Sequence, residues 1–235
     1  MERRLADRLG EVQERLAAAC RRSGRGRDEV TLVAVTKTVS AAWAAKLPEL
    51  GVYDLGESRP QELWRKAAAV PGSVRWHLVG HLQRNKVERT LPLVHLVHSV
   101  DSIRLLEALD AAAAKLHVPA NALLEVNTSG ERAKHGFALA EMPDLLPQLA
   151  PLNHARVLGL MTMAALSEER EDSRPAFATL RELRDRLRGA VPPPHDLREL
   201  SMGMSNDFET AVEEGATLVR IGTALFEGLP ESAAP

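Results

Sequence analysis

A single lysine follows a short apolar segment near the start of the chain. Residues 31–38 read TLVAVTKT, in which Leu, Val and Ala residues lead to Lys37. Such a run is typical of a strand buried on both faces, where a lysine is uncommon. At the carboxyl end of a buried strand, a partly desolvated amine can react as the free base with an aldehyde to give a Schiff base. The alternative is a lysine whose ammonium group simply extends from the strand into water.

Two segments late in the chain combine small residues with hydroxyl groups. Residues 201–205 read SMGMS, and residues 220–224 read RIGTA. In the first, Ser201 and Ser205 offer hydroxyls; in the second, Gly222 and Thr223 offer backbone N–H groups and a hydroxyl ahead of a helical turn. Each segment alone could be a Gly-Ser turn or a capped strand end. On adjacent strands, the two together predict a phosphate-binding site.

An amine and a phosphate site at one edge of a fold predict a ligand with a phosphate at one end and an aldehyde near the other. Pyridoxal 5′-phosphate (PLP) has this form. Arg220 would then lie beside the pyridine ring, between the phosphate site and Lys37. A guanidinium facing the pyridine nitrogen disfavours its protonation and weakens the ring as an electron sink. The alternative role for Arg220 is an ion pair at the mouth of the fold.

Eight short apolar segments alternate with amphipathic helices along the chain, which is typical of parallel βα units. The predicted strands cover residues 31–38, 52–56, 74–79, 93–97, 122–126, 156–161, 197–200 and 217–221. Eight such strands close a (β/α)8 TIM barrel, so the predicted fold class is α/β. A doubly wound open sheet is the alternative, but no glycine-rich dinucleotide motif follows any predicted strand.

The barrel is expected to form a single domain over residues 1–235, preceded by an amphipathic helix over about residues 2–22. Leu5, Leu9, Val12 and Leu16 recur there at helical spacing. In a TIM barrel the site lies at the carboxyl ends of the strands. Polar or sulfur-containing residues at those ends are therefore further candidates for cofactor contacts, and they are Ser58, His77, Asn127 and Met161.

The composition excludes several classes of function. A net charge of −2 and an aromatic content of 3% argue against a nucleic-acid partner. No apolar run approaches the length of a membrane span, so no membrane partner is expected. Cys20 is the one cysteine, which fits a reducing cytoplasm. The His77/His81 and His95/His98 spacings suggest zinc, but a strand end and turn would point the first pair apart, so no metal site is predicted.

Six segments in order resemble the pyridoxal phosphate homeostasis proteins, which share the fold type III barrel of alanine racemase: VTLVAVTKT, LGESRPQE, WHLVGHLQRNK, EVNTSGERAKHGF, GLMTM and LSMGMSNDFETAVEEGATLVRIGTALFEG. The resemblance covers nearly the whole chain. It implies that Lys37 carries the cofactor as a Schiff base and that Arg220 faces the pyridine nitrogen. It also implies that Ser201, Gly222 and Thr223 hold the phosphate.

The same resemblance implies further contacts with the cofactor. Met161 and Met202 would pack about the ring. His77 belongs to a family stretch, WHxxGxLQxNK, that borders the pocket and ends in Lys86, a candidate for a second cofactor site. One departure is Ser58, which stands where the family usually has an asparagine near the ring. A shorter hydroxyl there leaves room for a water or shifts the partner of the ring hydroxyl.

The function implied is a binding protein that stores or delivers PLP without catalysis, as a monomer, with PLP-dependent apo-enzymes as possible recipients. The alternative is a small PLP-dependent racemase with His77 or a water as second base. Racemisation needs an acid–base group on the far face of the cofactor, usually a tyrosine. Tyr53 is the one tyrosine, and it is predicted at the opposite end of the barrel. The chain also lacks a second domain like that of the racemases.

Overall fold

The structure is a computed structural model that describes residues 2–70, 72–131, 135–164 and 169–229. The predicted single domain, 1–235, also takes in residue 1 and residues 230–235, which lie outside the described residues. Within the described residues, no helix combines the length and apolar character needed to cross a membrane.

Eight parallel strands form a closed barrel. The strands of the described chain are β1 Thr31–Val35, β2 Asp54–Glu57, β3 Arg75–Leu78, β4 Leu96–Val100, β5 Ala120–Asn127, β6 Phe137–Ala138, β7 Ala155–Met161, β8 Glu199–Ser201 and β9 Leu218–Ile221. The sheet order is β4-β3-β2-β1-β9-β8-β7-β5, and a β4–β5 pairing closes the ring. The two-residue β6 adds to the carboxyl end of β5. The predicted (β/α)8 barrel is confirmed.

Helices surround the barrel and bury the outer faces of its strands. They are α1 Glu2–Arg22, α2 Ala41–Glu49, α3 Pro60–Ala67, α4 Val87–Thr90, α5 Ile103–Leu116, α6 Met142–Leu149, α7 Arg174–Leu187, α8 Phe208–Glu213 and α9 Thr223–Phe226. The α1 helix packs against α8 and α9. Leu5 and Leu16 on its apolar stripe are fully buried, as the helical spacing predicts.

Several element boundaries differ from the sequence-based predictions, and two of these differences have a clear local cause. The β4 strand begins at Leu96 rather than at residue 93, because Leu91–Leu93 forms a 3-10 turn with a proline near its start. The sequence predicts a helix over residues 205–214, but the chain after β8 stays irregular up to Asp207, whose Oδ1 accepts a hydrogen bond from the Met204 N–H at 2.6 Å. This turn delays the start of α8 to Phe208.

The barrel interior has an apolar part and a polar part. The apolar part is a cluster of buried side chains from five strands, Val33, Leu96, Leu123, Met161 and Leu218. The polar part is a row of hydrogen-bonded side chains that includes two buried histidines, His77 and His98. Every hydrogen bond in that row lies in a low-dielectric interior, where an unpaired polar group would be costly.

Asp54, at the amino end of β2, gives part of the stability a pH dependence. Burial raises the pKa of its carboxyl, but hydrogen bonds from Arg75 and His77 outweigh burial and hold the pKa well below its usual range. A carboxylate with a depressed pKa stabilises the fold above its unfolded pKa of about 4, and the contribution is lost as the pH falls through the folded-state value.

We therefore expect Asp54→Asn to lower the free energy of unfolding more at pH 7 than at pH 3. Urea unfolding at the two pH values measures the gap between variant and wild type. The matched control is Asp7→Asn, on the exposed side of α1. A gap of the same size at both pH values would show that ionised Asp54 contributes nothing.

Candidate functional site

A pocket of about 330 Å³ opens at the carboxyl ends of the barrel strands. Its lining comes from β1, β2, β3, β9 and the loops after β7 and β8: Val35, Lys37, Ser58, Val79, Gly80, Met163, Arg170, Ser173, Met204, Ser205, Asn206, Asp207, Arg220, Gly222 and Thr223. The volume is within the range of small-molecule sites. The lining thus joins the predicted amine to both predicted phosphate segments at one rim.

Lys37 lies two residues after the end of β1, with its side chain exposed to the pocket. The residue before it, Thr36, is fully buried, and both its backbone N–H and its side-chain hydroxyl are hydrogen-bonded. Its N–H donates to the Gly56 carbonyl at 2.9 Å, and its hydroxyl donates to Glu57 Oε1 at 2.7 Å. The backbone that carries Lys37 is therefore held rigidly while its amine stays accessible.

A buried ion pair holds the same backbone from below. Lys66 on α3 is fully buried, and its Nζ donates to the Thr36 carbonyl at 2.6 Å and to the Glu57 carboxylate. Both side chains of the Lys66–Glu57 pair are 1% exposed. Since Glu57 ends β2 and Thr36 follows β1, this pair fixes the two strand ends beside Lys37.

The loop after β8 is tied to the start of α9 across the pocket rim. Ser205 Oγ accepts a hydrogen bond from the Ala224 N–H at 3.1 Å. Gly203 has φ +89°, and a Cβ there would lie 2.5 Å from Ala211 Cβ, so only glycine fits. These contacts bring the Ser205 hydroxyl beside Gly222 and Thr223, at the first turn of α9, where N–H groups lack partners within the helix.

Arg220, the third residue of β9, lines the buried part of the pocket. Burial lowers the pKa of its guanidinium to about 10, while the carboxylates of Asp207 and Glu125 oppose the shift. The side chain therefore remains charged near neutral pH. Its Nη1 donates to Ser201 Oγ at 2.5 Å, and its Nη2 donates to the Thr162 carbonyl at 3.0 Å.

Five of the predicted site residues line the pocket, and they are Lys37, Ser58, Arg220, Gly222 and Thr223. Ser201 lies below Arg220, fully buried, with its hydroxyl bonded to Arg220 and His98. The predicted cofactor contacts of all ten residues stay predictions.

The other predicted residues lie farther into the barrel or at its rim. His77 is buried between Asp54 and His98. Met161 belongs to the apolar cluster inside the barrel, and Met202 to the core between strands and helices. Asn127 ends β5, where its side-chain amide donates to the Glu131 carbonyl at 2.8 Å.

Sequence reasoning missed several lining residues. Asp207 belongs to the same SMGMSND segment as Ser205, so its position could have been included; its Oδ2 accepts from Ser173 Oγ at 2.9 Å. Met163 ends the GLMTM segment and could also have been included, whereas Arg170 comes from the chain after β7 and carries no local signal of a site. Arg170 contacts the carboxylate of Glu209 at 3.3 Å, which places a further cation at the rim.

The histidine spacings do not bring His77 and His81 together. His77 is inside the barrel, whereas His81 is exposed, with Nδ1 3.3 Å from Asp101 Oδ2. In the described part of the chain, one group of three potential ligands is present, His81, Asp101 and His135, with ligand atoms within 4.8 Å of one another. The His81 and His135 imidazoles stack with centroids 5.5 Å apart, and both face Asp101. The absence of a metal site stays a prediction.

Gly80 allows β3 to pass close to the pocket residue Ser58. A Cβ at Gly80 would lie 2.2 Å from the Ser58 carbonyl oxygen, so Gly80→Ala must displace backbone. We expect a loss of about 1–3 kcal/mol in the free energy of unfolding. In the control, Gly10→Ala on α1, a Cβ meets nothing within 4 Å, and a gain of about 0.5–1 kcal/mol is expected. Urea unfolding compares the two; a neutral Gly80→Ala would contradict this packing.

The chain was compared with known families and proteins. Residues 8–230 match the model of the family described as alanine racemase, N-terminal domain. A pyridoxal phosphate homeostasis protein of Aquifex aeolicus is 42% identical over 223 residues, covering 94% of this chain and 96% of that protein. Its counterpart in Escherichia coli K12 is 34% identical over 227 residues, with 94% and 95% covered.

Solved structures show the same similarity. PipY of Synechococcus elongatus PCC7942 is 35% identical and superposes with a TM-score of 0.85 without PLP and 0.81 with PLP bound, covering 94% of this chain and 99% of PipY. Alanine racemase of Bartonella henselae, 17% identical with a TM-score of 0.74, covers 100% of this chain and 61% of that enzyme and shares the fold alone. This chain therefore belongs to the pyridoxal phosphate homeostasis proteins, within the family of the alanine racemase N-terminal domain.

Proposed function

We propose that this protein binds PLP and holds it as a Schiff base on Lys37 for storage or delivery. One observation carries the proposal: the accessible amine of Lys37 and the Ser205, Gly222 and Thr223 loops line one pocket of about 330 Å³. A lysine amine opposite hydroxyls and open N–H groups matches a ligand with an aldehyde and a phosphate. The PLP-bound homologue PipY supports the choice of cofactor.

Each residue has a defined part in this proposal. Ser205, Gly222 and Thr223 donate to the phosphate oxygens, and Lys37 Nζ adds to the aldehyde carbon with loss of one water. Arg220 stays protonated and faces the pyridine nitrogen. When bound, PLP supplies an aldehyde carbon and an electron-withdrawing ring. A cationic donor at the ring nitrogen keeps that nitrogen unprotonated and limits carbanion chemistry.

The lining supports binding over racemisation. Among the residues that the structure describes, the pocket lining includes neither a tyrosine nor a histidine that could act as a second base. Its one carboxylate, Asp207, accepts hydrogen bonds from the Met204 N–H and Ser173 Oγ. Tyr53 directly precedes β2, at the opposite end of the barrel from the pocket. The names of the homologues, homeostasis proteins rather than enzymes, agree with a non-catalytic role.

We also place the protein in the cytoplasm as a monomer that can pass PLP to apo-enzymes. The buried free thiol of Cys20 supports a reducing compartment. The exposed position of Lys37 supports exchange, because an incoming amine can reach the Schiff base from solvent.

The test is a titration of the purified apo-protein with PLP, followed by absorbance and by mass spectrometry after borohydride reduction. We expect an absorbance band of a protonated Schiff base that saturates at one PLP per chain and one reduced adduct mapped to Lys37. Incubating the holo-protein with L-alanine in deuterated water should exchange the α-proton no faster than free PLP does. Absence of the adduct would defeat the binding proposal, and fast exchange would favour the racemase.

A further inference from the structure

A row of five buried polar side chains crosses the barrel from the pocket to the opposite rim. It begins at Arg220, whose Nη1 donates to Ser201 Oγ at 2.5 Å. Ser201 Oγ lies 2.8 Å from His98 Nδ1, and His98 Nε2 lies 2.8 Å from His77 Nδ1. The row ends where His77 Nε2 lies 3.0 Å from Asp54 Oδ1. Asp54 begins β2, so this end of the row is remote from the pocket.

The carboxylate end fixes the protons of the first imidazole. Both oxygens of Asp54 accept from Arg75, at 2.8 and 2.5 Å, so Asp54 is ionised and acts as an acceptor. The atom that faces it, His77 Nε2, must therefore carry a proton. If this is the only proton on the ring, His77 Nδ1 accepts, and the His98 Nε2 that faces it is the donor.

The arginine end is compatible with the same direction. Arg220 has donors only, so Ser201 Oγ accepts from it. Full burial lowers the pKa of His98, and the positive charges of His77, when protonated, and Arg220 lower it further, so His98 is neutral. With its proton on Nε2, His98 accepts at Nδ1, and the Ser201 hydroxyl must donate to it. Every bond from Arg220 to Asp54 thus runs one way.

We propose that Asp54, His77 and His98 are positioning residues that lock the Ser201 hydroxyl as an acceptor and so aim the Arg220 guanidinium into the pocket. A Ser201 hydroxyl that was free to rotate could turn its proton towards the Arg220 cation. The hydrogen bond to His98 Nδ1 prevents this rotation. The Thr162 carbonyl holds the second nitrogen, Nη2, at 3.0 Å, so two fixed acceptors define the guanidinium plane. Charge-assisted bonds in a dry chain that ends in a carboxylate reinforce one another. Only the effect on PLP affinity rests on the proposed function.

Nitrogen NMR of the apo-protein at pH 7 tests the direction of these hydrogen bonds without any ligand. We expect His77 and His98 each to carry a proton on Nε2 and none on Nδ1. The internal reference is His154, an exposed histidine just before β7. Arg220 should give two separate Nη resonances because its guanidinium cannot rotate. A proton on His98 Nδ1, or a doubly protonated His77, would overturn the proposal.

Two variants test the effect on the pocket. His98→Gln should merge the two Arg220 Nη resonances and weaken PLP binding about tenfold, which corresponds to about 1.4 kcal/mol. Asp54→Asn, remote from the pocket, should weaken binding several-fold, so the test survives if His98→Gln does not fold. The matched control is His154→Gln, at an exposed histidine, which should bind like wild type.

Equal PLP affinity in His154→Gln and in whichever of His98→Gln and Asp54→Asn folds would overturn the positioning role. If wild type itself forms no Schiff base, the proposed function fails. The NMR experiment still decides whether the hydrogen bonds from Arg220 to Asp54 run in the proposed direction.

Discussion

Lys37→Ala is expected to abolish the covalent PLP adduct. The variant keeps Arg220 and the loops proposed to bind the phosphate, so weak non-covalent binding should remain. We expect the absorbance band of the Schiff base to disappear, no reduced adduct in the mass spectrum, and PLP affinity lower by about 100-fold, equivalent to about 2.7 kcal/mol.

The control for this prediction is Lys46→Ala, which changes the same residue type on α2. Lys46 pairs with Glu2 and Glu49 at the surface, away from the pocket lining. It should form the adduct like wild type. If Lys37→Ala still gave one adduct per chain, another lysine would carry the cofactor, and peptide mapping of the reduced protein would identify it.

Lys66→Ala is expected to destabilise the protein strongly. Lys66 and Glu57 are both 1% exposed, and removing the ammonium leaves a buried carboxylate without its counterion and takes one of two hydrogen bonds from the Thr36 carbonyl, which keeps the bond from the Val39 N–H. Breaking a buried ion pair in this way costs about 3–5 kcal/mol. This is a large part of the roughly 5–15 kcal/mol that stabilises a typical domain. The midpoint of urea unfolding should fall accordingly.

The double variant Lys66→Met/Glu57→Gln separates the charge from the packing. It removes both charges and keeps side chains of similar size, so it should recover much of the stability that Lys66→Ala loses. Because Thr36 precedes Lys37, PLP affinity should fall with Lys66→Ala and recover in part with the double variant. A loss in Lys66→Ala no larger than in Lys46→Ala would show that the pair contributes little.

The sequence by itself determined the barrel and the two sides of the pocket. Strands and helices are set by hydrophobic periodicity over a few residues, and parallel βα units bring all strand ends to one rim. Lys37 and the SMGMS and RIGTA segments could therefore be placed together from local pattern alone. Their chemistry, an amine opposite hydroxyls and glycine N–H groups, is also readable residue by residue.

Only the tertiary structure decided what supports that pocket. Lys66 has the pattern of a surface lysine on α3, and its burial under Glu57 depends on how α3 packs on the barrel. His98 and Ser201, 103 residues apart in sequence, meet because β4 and β8 face each other across the closed barrel. Interior contacts across a barrel depend on strand register and closure, and no local periodicity encodes them.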